Sequence, residues 1–164
     1  MGEKIQQGNE VQFAELSKIP KWREKLHLGN TDKAFIVDNN KYSSVKHALE
    51  ACKYKKQTPE IAHKLSLDSG SDLSKRLDLL EELSRGNISF KGKQFLDKRP
   101  TVDMDFKKRR KEEMGKILAA KLLYDPVFKK VLELTKNAKL VSYRSGNRPR
   151  VEYELMKARD GLSS

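Results

Sequence analysis

The sequence predicts a mainly α-helical domain with a few short β-strands. Three observations carry this. Apolar side chains recur at helical spacing through most of the chain. Ser, Thr, Asp and Pro stand where those periodic segments begin, and Gly or Asn where they end. The β-prone runs are short and bounded by turn residues. At 164 residues the chain fits one compact domain. Residues 1–15 are polar and read as a flexible N-terminal tail, which leaves residues 16–164 for the domain.

The elements follow in order. Trp22 is the lone tryptophan and marks the entry into the core. Ala34, Phe35, Ile36 and Val37 form a β-prone run, closed by the turn residues Asp38, Asn39 and Asn40. Ser43 and Ser44 offer a helix cap. The helix they open runs from about Val45 to Lys56, with Val45, Ala48, Leu49 and Cys52 on one face. Thr58 and Pro59 read as the cap and first position of a second, short helix that holds Ile61 and Leu65. After a turn over 67–71, a third helix is expected to start at Ser71 or Asp72. It continues through Leu73, Leu77 and Leu80 to a stop at Gly86 and Asn87. Residues 87–102 are a basic loop or hairpin.

The longest periodic segment is Asp103 to Tyr124, with Phe106, Arg110, Met114, Ile117, Leu118 and Lys121 on one side. Its first turns carry five consecutive cations, Lys107 to Lys111. A helix turns 100° per residue, so the five cannot share a face. Phe106 and Met114 flank Arg110, which is expected to face the interior. Lys108, Arg109 and Lys111 are expected on the solvent side as a nucleic-acid surface. Asp125 and Pro126 end this helix and begin another, with Val127, Val131 and Leu134 inward. A strand over 138–143, a turn-rich loop over 144–149 and a last helix with Leu155, Met156 and Arg159 complete the chain.

Composition limits the function classes. Charged residues make up 35% and hydrophobic residues 37% of the chain, a polar balance that the periodic segments still lift out of the disordered class. No apolar run approaches the roughly 20 residues that a membrane-spanning helix needs. The first ten residues lack an apolar signal core, so no secretory leader is expected. Cys52 is the only cysteine, which excludes a disulfide framework and nearly excludes a cysteine-based zinc site. The expected setting is a reducing intracellular one.

The net charge is +12 and unevenly spread. Residues 1–84 hold 14 basic and 13 acidic side chains, and residues 85–164 hold 21 and 10. The second half therefore expects an anionic partner, whether nucleic acid, a nucleotide or a capsid interior. A lysine-rich solvated surface explains the same numbers.

Chemistry-bearing motifs are sparse. There is no glycine-rich phosphate loop, dinucleotide fingerprint or calcium loop. His27, His47 and His63 lack ligand spacing, so no metal and no cofactor is expected. The serines from Ser66 to Ser71 have no recognisable His and acid partners for a hydrolytic triad. Cys52 reads as a small core residue.

One ordered set of motifs goes further. Phe35, Asp38, Tyr42, Ser44, Val45 and His47, followed by Ala51 and Lys53, resemble the pattern F-x-x-D-G-x-x-[WY]-x-S-V-E-H-Y-x-x-A-x-K of the YbiA-like, or NADAR, superfamily. Met114, Leu118, Ala120, Lys121, Pro126, Leu132 and Thr135 resemble its second block. Ser66 to Ser71, Ala138 to Leu140, and Leu155, Met156 and Arg159 resemble a branch with many members in large DNA viruses. The resemblance covers about residues 22–162. It implies a single, mainly α-helical YbiA-like domain with a pocket for ribosyl phosphate chemistry. It also implies an N-glycosidase activity that cleaves an N-ribosidic bond in ADP-ribosylated guanine or a ribosylamine phosphate. Such a bond breaks through an oxocarbenium-like state, which a carboxylate stabilises while it activates water. A viral member would work in host cytoplasm or the virion.

The departures from the family pattern matter. Lys46 stands where the motif has Glu before the His, so a cation replaces a carboxylate; beside a developing oxocarbenium it repels. The aromatic position after the His is Ala48. Of the early S-N-F motif, Asn30 survives with shifted spacing. The residues that persist suggest Asp105 and Lys53 as catalytic, and Asn30, His47 and Lys121 as ligand-binding groups, to which Lys46 is added by its place in the motif. Two functions follow. One is a binding or structural protein for an anionic partner, a nucleotide, nucleic acid or virion component, that kept the fold and lost or changed the chemistry. The other is an active N-glycosidase in which Asp105 or another carboxylate replaces the missing Glu. Convergence of Lys46, Lys53, Asp105 and Lys121 on one cleft would indicate that ligand binding survives.

Overall fold

The computed structural model describes residues 2–5, 10–143 and 148–163. Helix takes half of the chain and strands are few and short, as expected. A side-chain cap fixes the start of two helices, and a proline at the first position marks a third. Ser44 accepts from the His47 N–H and opens α3 (Val45–Tyr54), the bond expected of a serine N-cap. Thr58 and Pro59 open α4 (Pro59–Lys64). Asp125 ends α6 (Phe106–Tyr124) and opens α7 (Pro126–Leu134), where its carboxylate accepts from the Phe128 N–H at 3.1 Å. The remaining helices are α1 (Glu10–Leu16), α2 (Trp22–Lys25), α5 (Leu77–Ser84) and α8 (Tyr153–Asp160).

Two hairpins turn tightly. β2 (Phe35–Val37) and β3 (Asn40–Tyr42) are joined by Asp38 and Asn39, at φ 50° and 65°. β4 (Ser89–Phe90) and β5 (Lys93–Gln94) are joined by Lys91 and Gly92, at φ 51° and 78°. Two successive positive φ values give the turn whose twist matches paired strands. A third sheet has the order β1 (Gly2–Ile5), β6 (Leu140–Tyr143), β7 (Arg150–Val151), antiparallel throughout.

Three expectations need correction. Within the expected N-terminal tail, Gly2–Ile5 pairs with β6 and Glu10–Leu16 is helical; backbone pairing needs no apolar pattern, so the polar composition hid it. Residues 71–76 are not helical, and α5 starts at Leu77. The Leu73 carbonyl accepts from His47 Nε2, and the Ser74 carbonyl accepts from Ser43 Oγ. Those two acceptors are thereby diverted from the helical ladder, and Ser71 and Ser74 also bond the local backbone, a competition that disfavours helix. In α7 the buried residues are Phe128, Val131 and Leu132, while Val127 is exposed. The expected loop over 144–149 lies largely outside the described residues.

The core forms where α6 crosses α3, β2, α7 and α8. Phe35, Leu65, Met114, Ile117, Leu118, Phe128 and Leu132 are among its fully buried side chains. Trp22 is buried beside Phe13, edge to face. Among the described residues no helix is long and apolar enough to cross a membrane.

Candidate functional site

The first turn of α3 is pinned from two sides. The Lys46 N–H donates to the Leu28 carbonyl at 2.9 Å, which draws the 26–30 loop onto the helix. Gly29 permits that approach: a Cβ there would lie 3.0 Å from Leu77 Cδ2 and 3.5 Å from Lys46 Cδ. Asn30 closes the loop as an Asx turn, accepting from the Asp32 N–H at 3.1 Å. Asp32 also takes a hydrogen bond from Lys25, which, with Asn30, holds its carboxyl below the usual carboxylate range.

Lys46 therefore sits between two adjoining hollows. Asn30, Lys46 and Glu81 share a shallow recess of 480 Å³. Lys46 and Glu81 also line a cleft of 510 Å³ between α3, α5, α6 and β7. Leu28, Val45, Leu49, Leu80 and Met114 form its apolar surfaces; Arg85, Arg110, Arg150 and Glu50 add charge. Among the described residues, four cations and two carboxylates thus line this cleft. Glu50 accepts from the Tyr54 hydroxyl at 2.6 Å and pairs with Lys53 at 2.9 Å. Arg110 reaches Glu154 at 3.3 Å. Guanidinium groups over an apolar floor suit a flat ring carrying phosphate.

The expected convergence does not occur. Lys53 pairs with Glu50, whereas Asp105, at the start of α6, pairs with Lys56 and Arg109. The Lys56 hydrogen bond, and then that of Arg109, hold the Asp105 carboxyl down at about 2. A carboxylate so stabilised is a poor proton acceptor. Lys121 is 1% exposed and pairs with Asp125 at 2.9 Å, between the Phe35 and Phe128 rings. It belongs to the core rather than to a ligand surface.

His47 is likewise a core residue, with no solvent exposure. Its Nε2–H donates to Leu73 and its Nδ1 accepts from Ser44 Oγ at 2.6 Å. Burial holds it neutral and lowers its pKa to about 4.

Arg109 corrects the expected nucleic-acid surface. It turns inward, to Asp103, Asp105, Glu113 and the Cys52 carbonyl, and stacks near Phe106. Two of its carboxylates, Asp103 and Glu113, are buried, so the pull of paired charge outweighs the cost of desolvating the guanidinium. Lys108 and Lys111 are exposed, as expected.

A smaller cleft of 260 Å³ lies on the far side of α3, under the β2–β3 turn. Asp38, Tyr42, Cys52, Lys55, Glu113 and Lys116 line it. Burial, reinforced by a hydrogen bond to Glu113, pushes the Cys52 thiol up to about 12, so it is not a nucleophile. Among the described residues no group of three His, Cys, Asp or Glu side chains could hold a metal ion.

Of the residues expected from the sequence, Asn30 and Lys46 line these hollows, whereas Glu50, Glu81, Arg85 and Arg150, which line them too, were not expected there. Glu50 lies four residues after Lys46 on one helix face, a spacing that could have revealed it. The others come from separate elements. Compared with known protein families, curated proteins and solved structures, the chain has no match.

Proposed function

We propose that this chain is a NADAR-like binding protein that takes a phosphate-bearing nucleotide of the ADP-ribose class and has lost the family's glycosidase chemistry. One observation carries the reading: Lys46, Arg85, Arg110 and Arg150 line a single cleft with an apolar floor. The cations meet phosphate, and the floor meets the base. Loss of chemistry is supported by Lys46 in the motif's Glu position and by the pairing of Asp105 with Lys56 and Arg109 and of Lys53 with Glu50.

Titration calorimetry with ADP-ribose, NAD and duplex DNA at two salt concentrations tests this. A nucleotide in the cleft binds one to one. Replacing Arg85 and Arg150 by Ala weakens it by about tenfold or more, roughly 1.4 kcal/mol. DNA held only by Lys108 and Lys111 instead loses affinity steeply with salt, and the double Ala variant flattens that slope by about two units. A nucleotide that binds the Arg85 and Arg150 variant unchanged removes the cleft from the reading.

Glu81, shared by the cleft and the recess beside Lys46, favours a second reading, an active N-glycosidase with Glu81 as the carboxylate that activates water. Release of ADP-ribose from ADP-ribosylated DNA, abolished by Glu81→Gln, distinguishes it.

A further inference from the structure

Gly115 stands near the middle of the 19-residue α6, beside the buried Met114. Glycine is the poorest helix former apart from proline, and at mid-helix it usually marks a close approach by another element. Among the described residues no other element makes that approach, because a Cβ built on Gly115 meets no atom within 4 Å beyond the nearby backbone of α6 itself. Gly115 instead lines an open groove of 570 Å³ between α6 and α8. Ala119, Leu122 and Ala158 form its floor, and Tyr153, 70% exposed, forms one wall.

The rim is basic. Lys111 and Lys157 line the groove, and Lys107 and Lys108 continue the exposed charge one turn earlier on α6. Among the described residues the one carboxylate in the lining, Glu154, is paired with Arg110. A small-residue floor lets a second helix come near, and a lysine rim at one end selects its charge.

We propose that this groove docks an amphipathic helix of a partner protein, with acidic residues facing Lys107, Lys108 and Lys111. The net charge of +12 disfavours a second copy, since like charges would meet at the rim. A duplex would use the lysines and leave the apolar floor uncovered.

A display library of amphipathic helices about 18 residues long, selected on the intact chain and counter-selected on Gly115→Leu, tests this. Enriched clones should carry excess Asp and Glu beside an i, i+3, i+4, i+7 apolar face. They should lose about tenfold or more in affinity on Gly115→Leu and on the exposed-residue variant Lys111→Glu with Lys157→Glu. The melting temperature of Gly115→Leu should equal or exceed that of the parent, which separates lost docking from lost folding. Clones without acidic excess, clones that bind Gly115→Leu as well as the parent, or a selection that enriches nothing would overturn the proposal. So would a duplex that binds the parent and Gly115→Leu equally but not the double Glu variant, with no helix enriched.

Discussion

Replacing Lys121 by Met separates a structural cation from a ligand-binding one. Lys121 is 1% exposed and its Nζ lies 2.9 Å from Asp125 Oδ2, which is itself buried. Asp125 also caps α7 through the Phe128 N–H. Met fills similar volume but leaves the carboxylate unpaired in the core. Breaking a buried pair from one side costs about 3–5 kcal/mol. A domain of this size has only about 5–15 kcal/mol in total, so the variant sits near the edge of unfolding. Urea denaturation reads this as a midpoint lower by roughly 1–5 M at slopes of about 1–3 kcal/mol/M. Adding Asp125→Asn removes the stranded charge and keeps a capping side chain, so the double variant should recover to within about 1.5 kcal/mol of the parent. Its affinity for ADP-ribose should equal the parent's. A single variant within about 1 kcal/mol of the parent would refute the reasoning, because it would mean that solvent reaches the pair.

Two further outcomes follow from buried groups. His47 is neutral in the fold, with a pKa of about 4 against an ordinary 6.5. The unfolded chain binds the proton more readily between those values, so the stabilisation is complete above about 6.5 and is lost as pH falls toward 4, on the order of 3 kcal/mol. Urea midpoints measured from pH 7 to 4 should show this slope, and His47→Gln should flatten it; an unchanged slope counts against the assignment. Arg109→Ala should cost about 3–5 kcal/mol by leaving the buried Asp103 without its cation, while Glu113 keeps Lys55 at 2.5 Å. Arg109→Lys should recover little, because one ammonium cannot serve three carboxylates and a carbonyl as the guanidinium fork does; a lysine variant as stable as the parent contradicts this.

The residues that acted locally were legible in the sequence. Ser44, Thr58 with Pro59, Gly86, and Asp125 with Pro126 mark their helix ends, because a cap or stop is settled within about four residues of backbone. Gly86, at φ 90°, lets the Asn87 N–H reach back to the Glu82 carbonyl. Met114, Ile117 and Leu118 were legible as core, since helical periodicity shows a single apolar face, whereas nothing in the unbroken apolar run 34–37 set the buried Phe35 apart from the exposed Ile36. The mainly α-helical class follows from these signals alone. Tertiary structure decided the rest. Arg109 and Arg110 are neighbours 100° apart on α6, and only the positions of Asp103 and Glu113 chose Arg109 for the interior. Residues 71–76 hold a helical pattern, yet His47 and Ser43 took the carbonyls that the helix required. Lys46 shares a cleft with Arg85, Arg110 and Arg150 because α3, α5, α6 and β7 meet there. Local pattern specifies which side of an element is buried; which other element packs against that side depends on contacts between residues far apart in the chain.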